Sequence, residues 1–142
     1  GGKVVSDELI SLIDLPPTIT AAAGLKKLDT MQGNAIQGLV DGSAQEWPEE
    51  VFVQISESQV GRAIRTKKWK YSVYAPDKSG SQDPNSDRYV EQFLYDLETD
   101  PYERNNLVSD PAYAEVRAEL AERLKKQMVK AGEAVPEILS AE

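Results

Sequence analysis

The sequence predicts an α+β chain, a four-stranded antiparallel sheet covered by a C-terminal amphipathic helix. Three observations predict it. Aromatic and β-branched residues alternate with polar ones between 51 and 97, which is the strand signal. Short turns separate these runs, and strands joined by tight turns pair antiparallel. Tyr113, Val116, Leu120, Leu124, Met128 and Ala131 then recur at helical spacing and form one apolar stripe. The chain has 142 residues, 40% hydrophobic and 28% charged, enough to bury a core and stay in water.

The first strand is expected where Val51, Val53 and Ile55 alternate with Phe52, Gln54 and Ser56. A second covers 61–66. Lys67-Lys68 turns into a third, Trp69-Lys70-Tyr71-Ser72-Val73-Tyr74-Ala75, and the fourth is read from Phe93 to Leu97. Trp69, Tyr71 and Val73 share one face of the third strand, and Lys70, Ser72 and Tyr74 share the other. Between the third and fourth strands lies a polar stretch, 76–92, and loops of such length are usually functional or disordered. Asp110 reads as an N-cap, with Pro111 in the first turn. Lys125, Lys126 and Lys130 suit the negative end of the helix dipole, and Gly132 ends the helix. The tail from 133 to 142 is expected to fold back through Val135, Ile138 and Leu139.

Upstream, the apolar run 9–15 fits either a buried strand or a helix. Pro16-Pro17 suits a helix start, with Asp14 as cap and Gly24 as stop. A connector with one short helix, 35–40, follows. The expected division is 1–45 and 46–142.

Charge narrows the function classes. A net charge of −8 argues against general nucleic-acid binding. No run approaches the roughly 18 apolar residues that span a bilayer, so no membrane role is expected. Between 60 and 78, however, Arg62, Arg65, Lys67, Lys68, Lys70 and Lys78 face one acid, Asp77, a local +5 that leaves −13 elsewhere. Such a patch attracts anions through its field, or is simply the solvated face of two strands.

Catalytic chemistry is sparse. The chain has no His and no Cys, so it offers neither a Ser–His pair nor a zinc site. Asp96, Glu98, Asp100 and Glu103 imitate a calcium loop. Counted from Asp96, however, position six is Pro101 and position twelve is Leu107, where an EF-hand needs Gly and Glu. These acids read as turn residues that bond local backbone.

Five stretches, in order, resemble type I (formylglycine-dependent) sulfatases of the alkaline-phosphatase-like superfamily. They are Leu12-Ile13-Asp14-Leu15-Pro16-Pro17-Thr18, Met31-Gln32-Gly33 with Ile36, Gln54-Ile55-Ser56-Glu57, Gly61-Arg62-Ala63-Ile64-Arg65-Thr66 with Trp69-Lys70-Tyr71, and Leu94-Tyr95-Asp96-Leu97 leading to Asp100-Pro101-Tyr102-Glu103-Arg104-Asn105-Asn106-Leu107. The resemblance implies the C-terminal portion of a sulfuric ester hydrolase acting on sulfate esters or sulfamates. Residues 1–45 would be the remnant and connector of the α/β catalytic domain, and 46–142 the C-terminal subdomain. The family's nucleophile lies in Cys/Ser-x-Pro-x-Arg. Two positions after each proline stand Thr18, Ile19, Glu50, Lys78, Ser86, Glu103, Tyr113 and Ile138, none of them Arg. The resemblance therefore places formylglycine, calcium and every catalytic or metal residue in an N-terminal domain that serves as this chain's partner. In isolation the chain is expected to be inactive.

Arg62 and Arg65 are the candidate substrate-binding residues, for a sulfated small molecule or glycan, because Arg is the better bidentate partner of an oxyanion. Ion pairs with Glu57, Glu91 or Asp96 are the structural alternative. A non-catalytic module that binds sulfated glycans or docks a partner is the rival function. Residues 4–25 would self-associate without their cover. The sequence names no compartment, and the resemblance is compatible with a periplasmic or secreted parent protein.

Overall fold

The computed structural model describes residues 5–141, so Val4 and Glu142 lie outside the described residues. The chain divides into two compact units, Gly1–Val51 and Phe52–Glu142.

In the first unit, the ambiguous apolar run is helical only from Leu12 on, and residues 9–11 belong to no regular element. A 3-10 turn, Leu12–Asp14, leads into α1 (Leu15–Ala22), with the two prolines in its first turn, where missing N–H groups are harmless. Asp14 does not cap α1 with its side chain. Its carboxylate is buried and accepts from Ser11 N at 2.8 Å and Asn34 N at 2.7 Å, so it ties the connector to the helix start. Thr18 Oγ1 accepts from Ile36 N at 3.0 Å and tightens the same tie. A Cβ on Gly33 would lie 2.0 Å from Ile13 O, so only glycine fits there. The connector's helix, α2, is Gln37–Asp41, one residue beyond its expected end, and Gly42 closes it at φ 77°.

The second unit is built on a sheet of β1 (Glu50–Ser56), β2 (Val60–Thr66), β3 (Trp69–Tyr74), β4 (Arg88–Asp96) and β5 (Glu137–Leu139), in the order β1-β2-β3-β4-β5. The expected sheet had four antiparallel strands. The fifth comes from the tail and pairs parallel to β4, Tyr89 opposite Ile138, which makes the sheet mixed. A three-residue strand is too short for period-two reading. β4 also begins at Arg88 rather than Phe93, because Arg88, Glu91 and Gln92 hid its start. β2 and β3 pair antiparallel, with Ile64 opposite Tyr71. β3 and β4 do likewise, with Tyr71 opposite Leu94 and a bulge between Ser72 and Val73.

These registers put Ile64, Tyr71 and Leu94 in one row, and α3 (Ala114–Lys130) covers that face. Asp110 caps as expected, but on a 3-10 turn, Pro111–Tyr113, that precedes α3. Leu120, Leu124 and Met128 are fully buried against the sheet face. Each leucine contributes about 1.5–3 kcal/mol of transfer free energy. Val116, Tyr113 and Trp69 flank this core, and the Trp69 and Tyr113 rings meet edge to face at 5.9 Å.

Candidate functional site

The basic strands place their two arginines in opposite situations. Arg62 points to the helix-covered side, where its side chain is 1% exposed. Its Nε donates to Glu133 Oε1 at 2.8 Å, Nη1 to Gly61 O at 2.7 Å and Ile55 O at 3.3 Å, and Nη2 to Pro84 O at 2.8 Å. A guanidinium carries five N–H groups, and these contacts occupy four of them. The ion-pair partner is thus Glu133, none of the three acids weighed from the sequence. Glu91 instead faces Arg117, and Asp96 faces Lys68.

Arg65 is exposed, and among the described residues no hydrogen bond or ion pair engages it. It stands opposite Lys70, which stands opposite Tyr95, so the three form one row across β2, β3 and β4. Lys70 Nζ lies 2.5 Å from Glu103 Oε2 and 5.9 Å from the centre of the Tyr95 ring. Glu103 takes a left-handed φ of 55°, unusual for a side chain with a Cβ. The Tyr95 ring stacks on Phe93 at 5.7 Å, and Phe93 is 38% exposed. Burial, then the charges of Glu103 and Asp100, hold the Tyr95 phenol above its ordinary pKa. The row therefore offers Arg65 as its exposed cation, with Lys70 held by Glu103, beside an aromatic pair.

The acidic stretch after β4 is a scaffold. Asp96 Oδ1 accepts from Glu98 N and Thr99 N, and Asp100 Oδ2 accepts from Arg104 N and Asn105 N. Asn106, which the sequence marks only as part of the stretch that carries the resemblance, closes the assembly. Its carbonyl accepts from Leu94 N at 3.0 Å and Val108 N at 3.2 Å, while its amide donates to Gln92 O at 3.0 Å. Leu107 N bonds Leu94 O at 2.8 Å. This segment therefore satisfies the β4 edge beyond the reach of β5.

A polar network lies beneath α3. Tyr71 Oη donates to Glu91 Oε1 at 3.1 Å, and Arg117 Nη1 stands 3.6 Å from Glu91 Oε2. Burial, then the Glu91 charge, push the Tyr71 phenol far above its usual pKa. A cleft of about 570 Å³ opens beside this network, lined by Tyr74, Val90, Glu91, Ser109 and Leu139 among others.

The residues present do not fit the formylglycine or calcium that the resemblance implies. The nucleophile motif is missing from the sequence. Among the described residues no group of three or more His, Cys, Asp or Glu could hold a metal ion, and no helix is long and apolar enough to cross a membrane.

A mixed sheet with a C-terminal helix is the fold of the C-terminal α+β domain of sulfatases. The chain belongs to the family described as N-sulphoglucosamine sulphohydrolase, C-terminal, whose match covers residues 2–130. It is 30% identical over 95% of its length to an ulvan-active sulfatase of Formosa agariphila, of which it covers 31%. It is 28% identical over 75% of its length to a delta 4,5-hexuronate-2-O-sulfatase of Bacteroides thetaiotaomicron, of which it covers 21%. Among solved structures, a 2-O GAG sulfatase superposes with a TM-score of 0.66 at 26% identity, over 84% of this chain and 24% of that one. The chain thus spans less than a third of these relatives.

Proposed function

We propose that this chain is the C-terminal part of a hydrolase that cleaves a sulfate ester or sulfamate on an acidic saccharide. It supplies no nucleophile and acts beside an N-terminal catalytic domain, where it shapes the mouth of the substrate pocket. The observation that carries this reading is exposed Arg65, in one row with the half-buried, Glu103-paired Lys70, next to the Phe93–Tyr95 stack. Cations meet sulfate or carboxylate, and aromatic faces meet the apolar faces of sugar rings. The names of the sulfatase relatives support the saccharide. Arg62 was weighed equally from the sequence. With one N–H uncommitted and its side chain 1% exposed, its geometry favours Arg65 as the contact.

The test has two parts. The isolated chain, incubated with 4-nitrophenyl sulfate and with a sulfated oligosaccharide, releases no sulfate above a mock preparation. In the intact protein, Arg65→Ala raises KM by about 10- to 150-fold and leaves kcat near wild type, as expected for loss of one charge-assisted contact of about 1.5–3 kcal/mol. Turnover by the isolated chain, or an unchanged KM, overturns the assignment.

The same row supports a second reading, a binding module for sulfated glycans without catalysis. Retention of the isolated chain on a heparin matrix, weakening as salt rises, favours it.

A further inference from the structure

The cleft of about 570 Å³ beside the Tyr71–Glu91–Arg117 network is of a size that holds small ligands. Its wall draws on the end of β3, on β4, on the segment before α3 and on the tail. Val90, Val108 and Leu139 supply apolar surface, and Tyr74 and Ser109 supply hydroxyls. Neither hydroxyl makes a hydrogen bond among the described residues. Glu91 is the charged member of the wall among the described residues.

The Glu91 side chain is 8% exposed, and its two oxygens are unequally served. Oε1 accepts from Tyr71 Oη at 3.1 Å. Among the described residues, Oε2 meets Ala141 N at 3.4 Å and Arg117 Nη1 at 3.6 Å, both longer than the usual N–H···O range of about 2.7–3.2 Å. Arg117 directs Nη1 to Val108 O instead, and its Nε is buried without a partner. A buried carboxylate is costly unless it is both paired and well hydrogen-bonded. Oε2 is therefore an acceptor short of a donor, on a residue that the cleft reaches.

The chemistry of the wall selects the donor. A cationic donor serves a carboxylate better than a neutral one, because charge-assisted bonds are shorter and about twice as strong. Among the described residues no group of three or more metal-ligating side chains gathers, so a divalent ion lacks a coordination set here. An ammonium carries three N–H donors. One carboxylate and two free hydroxyls match them in number, and the aliphatic wall suits an alkyl stem.

We propose that this cleft binds an aliphatic primary ammonium. Glu91 is its anionic contact, the Tyr74 and Ser109 hydroxyls are further acceptors, and Val90, Val108 and Leu139 cover its stem. A free diamine and the lysine side chain of a partner protein share this chemistry. The proposal is independent of the saccharide reading and uses no residue of the Arg65 row.

The experiment titrates the full chain with n-butylammonium and with n-butanol, followed by amide NMR in about 0.15 M salt, which screens the general attraction of an acidic chain for cations. Butylammonium shifts amides within 90–92, 108–109 and 139–141 and saturates, and butanol binds about tenfold more weakly or less. Glu91→Gln removes that preference. Ser109→Trp, at an exposed position, fills the cleft and abolishes the shifts with Tm unchanged, which keeps the test decisive if Glu91→Gln fails to fold. Equal affinity for the two probes overturns the ammonium assignment. Shifts that lie only outside the cleft, that persist in Ser109→Trp, or that never appear overturn the site. Putrescine and Nα-acetyl-lysine methylamide then separate the sources: tighter binding of the first assigns a free diamine, and of the second a partner's lysine. The sulfatase reading falls separately, on sulfate release and KM in the intact protein.

Discussion

Asn106→Ala is the most exposing test of how the sulfatase signature works. The side chain makes three hydrogen bonds, to Leu94 N, Val108 N and Gln92 O, at 3.0–3.2 Å. Each contributes about 0.5–1.5 kcal/mol net, so their joint loss costs about 2–4 kcal/mol. Leu94 is fully buried and its N–H faces the β4 edge, so no replacement partner is built in. For a domain of this size, each kcal/mol lowers Tm by about 4–8 °C, which sets the expected fall at about 10 °C or more. Thermal melts of wild type and Asn106→Ala, followed by circular dichroism, measure it. Asn106→Asp separates the contributions, because it keeps the two accepting contacts and loses the donor to Gln92 O. A fall under about 3 °C for Asn106→Ala would refute the edge-sealing argument, since that is below the stability equivalent of one hydrogen bond.

Other expectations follow from the core, the buried network and the first unit. Leu124→Ala removes a fully buried side chain of the helix stripe and destabilises the protein by about 2–5 kcal/mol in urea melts, whereas exposed Glu122→Ala changes little. Tyr71, whose phenol is held above its ordinary pKa near 10, stays protonated in the fold while the unfolded chain ionises. Stability from it is therefore full below about pH 10 and is lost as pH rises further, at up to about 1.4 kcal/mol per pH unit. Tyr71→Phe removes that part of the slope in melts between pH 8 and 11, leaving the share of Tyr89 and Tyr95, whose phenols burial also raises. In the first unit Leu12, Ile19 and Leu25 are 82%, 67% and 66% exposed, so the isolated chain should self-associate through this region. Light scattering across a concentration series reads the association, Leu12→Glu with Ile19→Glu reverses it, and a monomer at every concentration refutes it.

The parts legible in the sequence were those with local causes. The α3 stripe repeats at helical spacing and its Asp-Pro start is a local signal. Period-two alternation found β2 and β3. What escaped reading depends on distant partners. Glu133 meets Arg62 across 71 residues, and no local pattern marks that meeting. The burial of Arg62 was not legible either, because charge counts do not record which side of a strand is covered. β5 is three residues long and forms only because β4 presents an edge to it. At Asn106 a signal did exist: a second Asn just after an Asp-rich turn, where a side-chain amide can imitate a neighbouring strand.

The ion pair between Arg62 and Glu133 also determines how far the domain extends. The family match stops at residue 130, near the last turn of α3. Glu133 and β5 lie after that point. A chain cut at 130 would keep every residue of the helix and four of the five strands, yet it would leave a cation stranded in the interior and a bare sheet margin. Loss of one partner from a buried pair costs about 3–5 kcal/mol, enough to consume much of the stability of a small domain. The second compact unit thus runs past Leu139 to Ala141, which packs on its core, and domain exchange between sulfatases should join chains beyond it rather than at the end of the helix.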